Sequence, residues 1–304
     1  MQQGDLGILV EPRRDTGGSA LYLAPLRAIA SFARAKPLAA IGALIIVLMV
    51  VAAVAAPAIA RQDPARINTR AAFLPPSTAH WFGTDNYGRD MFSRIIYGSR
   101  VALEVGLLGT LLGVGGGSLI GLLCGYFGGR LDLVLMRVID AVQAFPGLIL
   151  AMAIVGVVGP SLTMAFIAIA ITLIARPARV VRGSVLSAKA TPWVESARLL
   201  GASDARIMFR HILPNVLAPI IVLASLTLGI AILVEASLSF LGLGVQPPTP
   251  AWGSMLSGAG ANYFSTYPLL AIFPGVAISL AVFAFNLFGD GLRDVLDPRL
   301  RGAR

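Results

Sequence analysis

Six strongly apolar stretches, separated by polar segments, dominate the pattern of the chain. A hydrocarbon core about 30 Å thick is crossed by roughly 20 helical residues, and most of these stretches reach that length. The fourth is shorter and follows the third after a Gly-Pro-Ser turn. The predicted spans are residues 38–56, 101–127, 138–158, 162–175, 216–238 and 267–288. We therefore predict an all-α integral membrane protein with six transmembrane helices and both termini on one side.

The segment between the fourth and fifth spans is rich in charged residues and in helix formers. It runs from Thr191 to Pro214 and reads TPWVESARLLGASDARIMFRHILP, and we call it the polar hairpin. Thr191 can cap a first helix, and Gly201 supplies the left-handed turn that ends it. Ser203 can cap a second helix, which is expected to end at Pro214. A polar pair of helices held between membrane spans predicts contact with a soluble partner.

Composition supports a membrane protein. The chain has 304 residues, of which 57% are hydrophobic and 13% charged, whereas soluble domains carry about 25% charged residues. The formal charge of +9 does not indicate nucleic-acid binding, because the arginines are spread over the polar segments and form no basic face studded with aromatic residues. Cys124 is the single cysteine and lies in an apolar run, so an intramolecular disulfide or a cysteine zinc cluster is excluded and a packing role is expected.

Orientation follows from the distribution of Lys and Arg. With the N-terminus inside, 18 of the 24 basic residues fall in cytoplasmic segments, and the other six fall in the first outer loop. That outer loop is an exception to the rule that Lys and Arg concentrate in cytoplasmic loops. The predicted organisation is a cytoplasmic tail (1–37), an N-terminal transmembrane helix (38–60), an extracytoplasmic loop (61–100), a core (101–290) and a second cytoplasmic tail (291–304).

Motifs of catalysis and nucleotide binding are missing from the sequence. A phosphate-binding loop needs Gly-Lys-Ser/Thr, but the only lysines, Lys36 and Lys189, each follow an alanine. Two histidines form no HExxH pair, and GxSxG does not occur. We predict no catalytic residue, no metal site and no cofactor in this chain.

Glycines recur every four residues in the second span, at positions 109, 113, 117, 121 and 125. Such a ladder lets another helix backbone approach closely, either within the subunit or from a partner.

Three carboxylates lie within the apolar stretches, and all of them are near span ends. For Glu235 two interpretations are equally supported: it faces a translocation path, or it is a helix-end residue bonded to a neighbouring loop. For Glu104 and Asp140 the helix-end interpretation is favoured. A proton-driven carrier normally has a carboxylate deep in the membrane, so that class is disfavoured.

The polar hairpin resembles the EAA loop of the membrane subunits of bacterial ABC importers. The resemblance rests on Glu195-Ser196-Ala197, then Gly201, then Leu213-Pro214 thirteen residues after the glycine. Ser196 replaces an alanine of the family pattern and His211 replaces an isoleucine, but the turn glycine and the closing proline are both present.

Three further blocks resemble the second permease of dipeptide, oligopeptide, glutathione and nickel importers. They are FGTDNYGRDMFSRIIYGSR at 82–100, EASLSFLGLGVQPPTPAWGSML at 235–256 and AFNLFGDGLRDVLDPRL at 284–300. The similarity covers roughly residues 81–301, nearly all of the chain apart from the first span and the tail before it.

This resemblance implies an importer-type ABC permease core of five helices preceded by one N-terminal helix, in the bacterial inner membrane. It also implies a heterodimer with a homologous permease, two cytoplasmic ATPase subunits that carry ATP and Mg, an extracytoplasmic solute-binding protein and contact with membrane lipid. The polar hairpin would then couple this chain to the ATPase. The expected coupling residues are Glu195, Ser196, Ala197, Arg198, Gly201, Ala202, Arg206 and Pro214.

Two other sets of site residues are predicted for a transporter of this type, although ordinary loop residues would give a pattern similar to that of the docking set. Glu235 and Gln143 are assigned to the translocation path. The residues assigned to docking of the binding protein are Asp85, Arg89, Asp90, Pro248 and Trp252.

The predicted substrate is a di- or oligopeptide, with glutathione or nickel as the alternative for the same transporter type. A different class, a membrane scaffold that recruits an ATPase without conducting solute, would need the same hairpin. A secondary carrier would need an ion gradient and no ATPase.

Overall fold

The computed structural model describes residues 33–296, and this part of the chain is helical, with one isolated β-bridge between Thr84 and Asp90. Much of the predicted N-terminal tail and of the predicted C-terminal tail lies outside the described residues. The α-helices are α1 (Pro37–Val54), α2 (Ala56–Ile59), α3 (Met91–Phe127), α4 (Gly129–Gln143), α5 (Gly147–Val158), α6 (Leu162–Leu173), α7 (Ala175–Lys189), α8 (Pro192–Leu199), α9 (Asp204–Arg206), α10 (Leu213–Phe240), α11 (Trp252–Met255) and α12 (Leu269–Leu296). A 3₁₀ turn (Thr69–Ala71) and two π-helical segments (Ile207–Ile212 and Leu256–Gly260) complete the secondary structure.

Four helices are long and apolar enough to cross a membrane, namely α1, α3, the continuous helix Asp204–Phe240 and α12. Two bent pairs, α4 with α5 and α6 with α7, raise the number to six if each pair crosses as one span. The all-α membrane fold predicted from the apolar pattern is therefore confirmed, and the count of six stays a prediction.

The third predicted span, residues 138–158, is not one uninterrupted helix. Helix α4 ends at Gln143, α5 begins at Gly147, and their axes differ by 90°. Pro146 causes the break, because its ring fixes φ, removes a backbone N–H and disfavours helical geometry in the preceding residue. Helix α5 has 12 residues, or about 18 Å at 1.5 Å per residue, which is shorter than the hydrocarbon core.

The neighbouring spans are longer than their apolar runs. Helix α3 begins at Met91, ten residues before the predicted start at Val101, and has 37 residues. Helix α6 continues into α7 through a bend of 42°, so the helical rod runs well past residue 175. Polar side chains extend these helices beyond the apolar layer, where hydropathy alone gives no signal.

The glycine ladder of α3 packs within the subunit against α6 and α7. A Cβ built on Gly117 would lie 2.4 Å from the carbonyl oxygen of Ile174, and one on Gly121 would lie 2.4 Å from that of Ala178. A Cβ built on Gly109, Gly113 or Gly125 would lie between 2.8 and 3.1 Å from Ile169, Ala170 or Val185, respectively. Only glycine permits this approach, so the predicted packing face is confirmed and its partner is this chain itself.

Helix α1 lies against α12. A Cβ on Gly42 would meet the Ala284 carbonyl oxygen at 2.6 Å, and Lys36 forms an ion pair with Asp294 at 2.5 Å. Most other side chains of α1 are exposed, as expected for a helix that borders lipid on its other faces.

Two ends of the helix bundle can be told apart along α3. Its N-terminus lies beside the loop of residues 61–90, while Tyr126 at its C-terminus contacts the polar hairpin. We call these the loop end and the hairpin end.

Candidate functional site

The polar hairpin begins with α8 and turns at Gly201, which has φ of +78°. The Ala202 amide donates to the Ala197 carbonyl at 3.1 Å and the Gly201 amide donates to the Arg198 carbonyl at 3.0 Å. These two bonds form a Schellman motif, in which a residue at positive φ satisfies the last carbonyls of a helix. The predicted left-handed turn at Gly201 is confirmed.

The two predicted helix caps have different outcomes. Ser203 accepts a long hydrogen bond from the Arg206 amide at 3.5 Å, which confirms the cap of the second helix. Thr191 occupies the N-cap position of α8, but its hydroxyl donates to the Ala188 carbonyl instead of accepting from α8. The predicted side-chain cap at Thr191 is therefore wrong.

The second helix of the hairpin does not end at Pro214, contrary to the sequence prediction. From Asp204 the chain runs without interruption through α9, the π-helical segment and α10 to Phe240, a helix of 37 residues. Pro214 lies in the first turn of α10, directly after the π-helical segment. A widened turn accommodates a residue that lacks an N–H and would clash with an α-helical carbonyl. The second half of the hairpin is consequently an extension of α10.

A buried apolar cluster holds the polar hairpin against the bundle. Val194, Ile207, Met208 and Ile212 of the hairpin are buried. They pack against Leu122 and Tyr126 of α3, Val181 and Val185 of α7, and Val216 of α10. Ile207 and Met208 are therefore unavailable for contact with a soluble partner, whereas Phe209 is half exposed.

A polar network joins the same surfaces around Tyr126. Its hydroxyl donates to Asp204 Oδ1 at 2.5 Å, and its backbone carbonyl accepts from Lys189 Nζ at 2.5 Å. Arg198 also lies beside the Tyr126 phenol. A hydrogen bond between the two side chains raises the pKa of the Arg198 guanidinium above its usual range. Residues of α3, α7, α8 and α9 therefore meet at one tyrosine.

Helix α4 is tied to α7 by arginines close to this cluster. Arg182 makes a bidentate contact with Asp132, with nitrogen–oxygen distances of 2.6 and 2.5 Å. Arg179 Nη2 lies 2.6 Å from Asp140 Oδ1. Asp140 is thus paired at a helix end, as its favoured interpretation expected.

The free surface of the hairpin is partly apolar. Leu199 and Leu200 are 83% and 88% exposed, immediately before the Gly201 turn. Sequence analysis missed both, because leucines in an apolar chain resemble core residues. For Leu199 the helical phase carries the missing signal, since it lies opposite the face marked by Val194 and Ala197, whereas Leu200 follows the last residue of α8.

The predicted coupling residues divide between two faces of the hairpin. Ala197 and Ala202 are half-buried against the apolar cluster. The exposed members are Glu195, Ser196, Arg198, Gly201, Arg206 and Pro214. Charged side chains and two leucines thus share one solvent-facing surface, which can bind a protein that offers an apolar groove with a polar rim.

The residues assigned to the translocation path lie in different settings. Glu235 is 1% exposed and accepts a hydrogen bond at 2.6 Å from Ser239 of its own helix, so its partner is not a neighbouring loop. Gln143 is exposed at the end of α4, just before the 90° bend. Their assignment to the path stays a prediction.

Two of the residues assigned to docking are buried carboxylates at the loop end. Asp85 accepts from the amides of Tyr87 and Arg89 and from Arg89 Nε at 2.7 Å. Asp90 caps α3 by accepting from the Ser93 amide at 2.8 Å, and its other oxygen lies 2.9 Å from His80 Nδ1. Both carboxylates therefore order the loop, and a partner would contact the exposed residues around them.

Trp252 is also buried. Its indole Nε1 donates to the Ile95 carbonyl at 2.9 Å, and its ring lies over Gly98, whose added Cβ would come within 2.6 Å of the ring. Trp252 thus packs the loop after α10 onto the first turns of α3, whereas Pro248 is exposed in that loop.

Within residues 33–296, no group of three or more His, Cys, Asp or Glu side chains could hold a metal ion. Cys124 is buried and has a free thiol.

Comparison with protein families gives two matches. Residues 117–302 match the family described as binding-protein-dependent transport system inner membrane component. Residues 29–76 match the N-terminal transmembrane domain of oligopeptide transport permease C.

Individual relatives match over most of their length. The chain is 49% identical to a glutathione transport system permease protein of Pectobacterium atrosepticum over 226 residues, covering 74% of this chain and 75% of that protein. It is 44% identical to a dipeptide transport system permease protein of Alkalihalophilus pseudofirmus over 264 residues, covering 87% and 86%. A glutathione transport system permease protein of Escherichia coli is 45% identical over 275 residues, covering 88% and 89%.

Proposed function

Because the chain belongs to the family of binding-protein-dependent transport system inner membrane components, we propose that it forms part of the path by which an ATP-driven importer carries di- or oligopeptides. It is a multi-pass membrane protein and a transport subunit, not an enzyme. Its dipeptide-transporting relative supports the peptide substrate.

The family acts in an ABC transport complex that contains ATPase and binding-protein partners. In the proposed complex this chain forms a heterodimer with a homologous permease in the bacterial inner membrane, with both termini in the cytoplasm. Two ATPase subunits, which carry ATP and Mg, bind beneath the permease pair, and the polar hairpin of this chain rests in a groove of one of them. A solute-binding protein delivers the peptide at the loop end. The distribution of Lys and Arg supports this orientation.

One observation carries the coupling role of the hairpin: its second half is continuous with α10 over 37 residues. An α-helix transmits displacement along its axis because each backbone hydrogen bond links neighbouring turns. Movement of Asp204 by an ATPase would therefore reorient α10 as a unit. Exposed Leu199 and Leu200 supply the apolar contact that an ATPase groove would take up.

Movement of the hairpin would also reach α3, which has no direct chain connection to it, and would act on α7 through side-chain packing as well as through the chain. Tyr126 links Asp204 to α3, and the buried cluster around Ile207 contacts α7. Closure of the ATPase pair would then change the relative tilt of α3, α7 and α10 together. This is how ATP binding would alternate access between the two sides of the membrane.

A test compares two glycines in the complete complex, reconstituted in liposomes with its binding protein. Gly201 and Gly242 both have φ of +78°, and neither has an atom within 4 Å of an added Cβ. A valine at either position strains the backbone by about 1 to 2 kcal/mol, so the two variants carry the same local defect. Gly201→Val is expected to lower peptide uptake per ATP hydrolysed, whereas Gly242→Val leaves that ratio unchanged.

Equal ratios in both variants would contradict the coupling role of the hairpin. ATP hydrolysis by an assembled complex without any solute uptake would instead favour the non-conducting scaffold, and uptake without the ATPase would favour a secondary carrier.

Glutathione is the second candidate substrate, favoured by the 49% identity to the Pectobacterium permease. The same liposomes separate the candidates by competition: unlabelled dipeptide, glutathione and nickel are compared as inhibitors of labelled dipeptide uptake. Uptake of labelled glutathione but not of dipeptide would overturn the peptide assignment.

A further inference from the structure

A cavity of about 360 Å³ opens at the hairpin end between α7, α10 and α12. Arg176 and Arg293 line it together with apolar side chains that include Val180, Val222 and Leu226. No carboxylate is among the lining residues. The cavity therefore combines two positive charges with an apolar wall.

Neither arginine has an ion-pair partner within residues 33–296. Nearby arginines of α7 do have partners, since Arg179 pairs with Asp140 and Arg182 with Asp132. Arg176 and Arg293 are exposed, so both guanidinium groups are free to contact a molecule outside this chain. Two cations that line one cavity repel each other, and an anion bound between them would relieve that repulsion.

The cavity lies where the apolar part of the bundle meets its polar end. Arg176 follows the apolar helix α6, and Arg293 is in the last turn of α12. Val222 and Leu226 lie in the first half of α10, within about 20 Å of its start at 1.5 Å per residue. A molecule bound here would have its charged group at the arginines and an apolar portion along α10.

We propose that this cavity binds an anionic phospholipid, with the phosphate between Arg176 and Arg293 and an acyl chain along Val180, Val222 and Leu226. The apolar wall favours a lipid over a soluble anion, because inorganic phosphate would leave that wall in contact with water. Basic pockets between transmembrane helices bind anionic headgroups for the same reason. With the orientation given under the proposed function, this lipid belongs to the cytoplasmic leaflet; the binding itself does not depend on that orientation.

Retained lipid in the purified permease complex tests the proposal. The complex is equilibrated in nanodiscs that contain phosphatidylglycerol and phosphatidylcholine, and native mass spectrometry counts the molecules of each that remain bound. Arg176→Gln and Arg293→Gln are each expected to lower retained phosphatidylglycerol by about fivefold, without changing retained phosphatidylcholine. Arg130→Gln is the matched control, because Arg130 is an exposed arginine of α4 outside the cavity.

A second variant removes space instead of charge. Ala218 lines the cavity, and Ala218→Phe is expected to displace phosphatidylglycerol while both arginines remain. This variant keeps the proposal testable if a charge substitution lowers the yield of folded complex.

Three results would overturn the proposal. Retained phosphatidylglycerol could be equal in wild type and in all cavity variants. Inorganic phosphate could protect the complex against heat as well as phosphatidylglycerol does, which would indicate a soluble anion. The arginine variants could lose the second permease subunit with retained lipid unchanged, which would indicate a protein interface. Each result is independent of substrate uptake, so it can be distinguished from a failure of the proposed transport function.

Discussion

The Tyr126 hydroxyl donates a hydrogen bond to the Asp204 carboxylate at 2.5 Å, across 78 residues of sequence. Tyr126 lies in the last turn of the long helix α3, and Asp204 begins the continuous helix that includes α10. Two membrane helices are thus joined at the base of the polar hairpin by one side-chain contact.

Tyr126→Phe removes this contact with little change in volume. The variant is expected to lose about 1 kcal/mol of stability, because the bond involves a charged acceptor that remains hydrated on its exposed side. Transport per ATP is expected to fall more than ATP hydrolysis itself. Thermal unfolding in detergent and the liposome assay measure the two effects.

A double-mutant cycle separates the contact from other roles of each residue. If the hydrogen bond is responsible, Asp204→Ala should have little further effect in a Tyr126→Phe background. Additive effects of the two substitutions would contradict the coupling between α3 and α10.

Leu199 and Leu200 are predicted to bind the ATPase without stabilising the fold. Replacing both with serine is expected to change the free energy of unfolding by less than about 0.5 kcal/mol, because exposed side chains have few contacts to lose. Co-purification of the ATPase should fall strongly. Leu74→Ser is a suitable control, since Leu74 is an exposed leucine of the loop end. Undiminished ATPase binding by the double serine variant would rule out this contact.

The glycine ladder makes a prediction that needs no partner protein. Gly121→Ala is expected to destabilise the chain by about 1 to 3 kcal/mol, because its Cβ would overlap the backbone of α7. Gly115→Ala, on the same helix with nothing within 4 Å, is expected to be neutral or stabilising by up to about 1 kcal/mol. Unfolding measured side by side in one detergent tests the pair. If both substitutions had the same effect, the close packing of α3 on α7 would be wrong.

Trp252→Phe separates a packing role from a docking role. The phenyl ring keeps apolar contact with α3 but removes the indole hydrogen bond to the Ile95 carbonyl, which costs about 1 kcal/mol. Trp81→Phe, at a half-exposed tryptophan of the loop end, provides the comparison. Stability is expected to fall in the Trp252 variant while affinity for the binding protein, measured on the folded complex, stays the same. A selective loss of that affinity would instead support the docking role predicted from sequence.

The sequence by itself determined the membrane class, most of the helix positions and the turn of the polar hairpin. A long apolar run by itself indicates a segment that lies in the lipid bilayer. A glycine in a polar helical segment indicates a left-handed turn, so the turn at Gly201 could be predicted without knowledge of its spatial neighbours. The four-residue repeat of glycines likewise predicted close packing. It did not identify the partner helix, because every apolar helix of the chain could in principle fill that face.

Only the tertiary structure decided which polar residues are free. Asp85, Asp90 and Trp252 resemble surface residues in the sequence, yet all three are buried. The contact of Trp252 with the Ile95 carbonyl, for example, joins residues that are 157 positions apart in the sequence. Leu199 and Leu200 resemble core residues, yet they are exposed because no element within residues 33–296 packs over the hairpin there. The 90° break near Pro146 and the continuity of the hairpin with α10 also needed three dimensions. A local pattern limits what a residue can do, whereas the packing of remote helices decides whether its side chain meets protein, lipid or a partner.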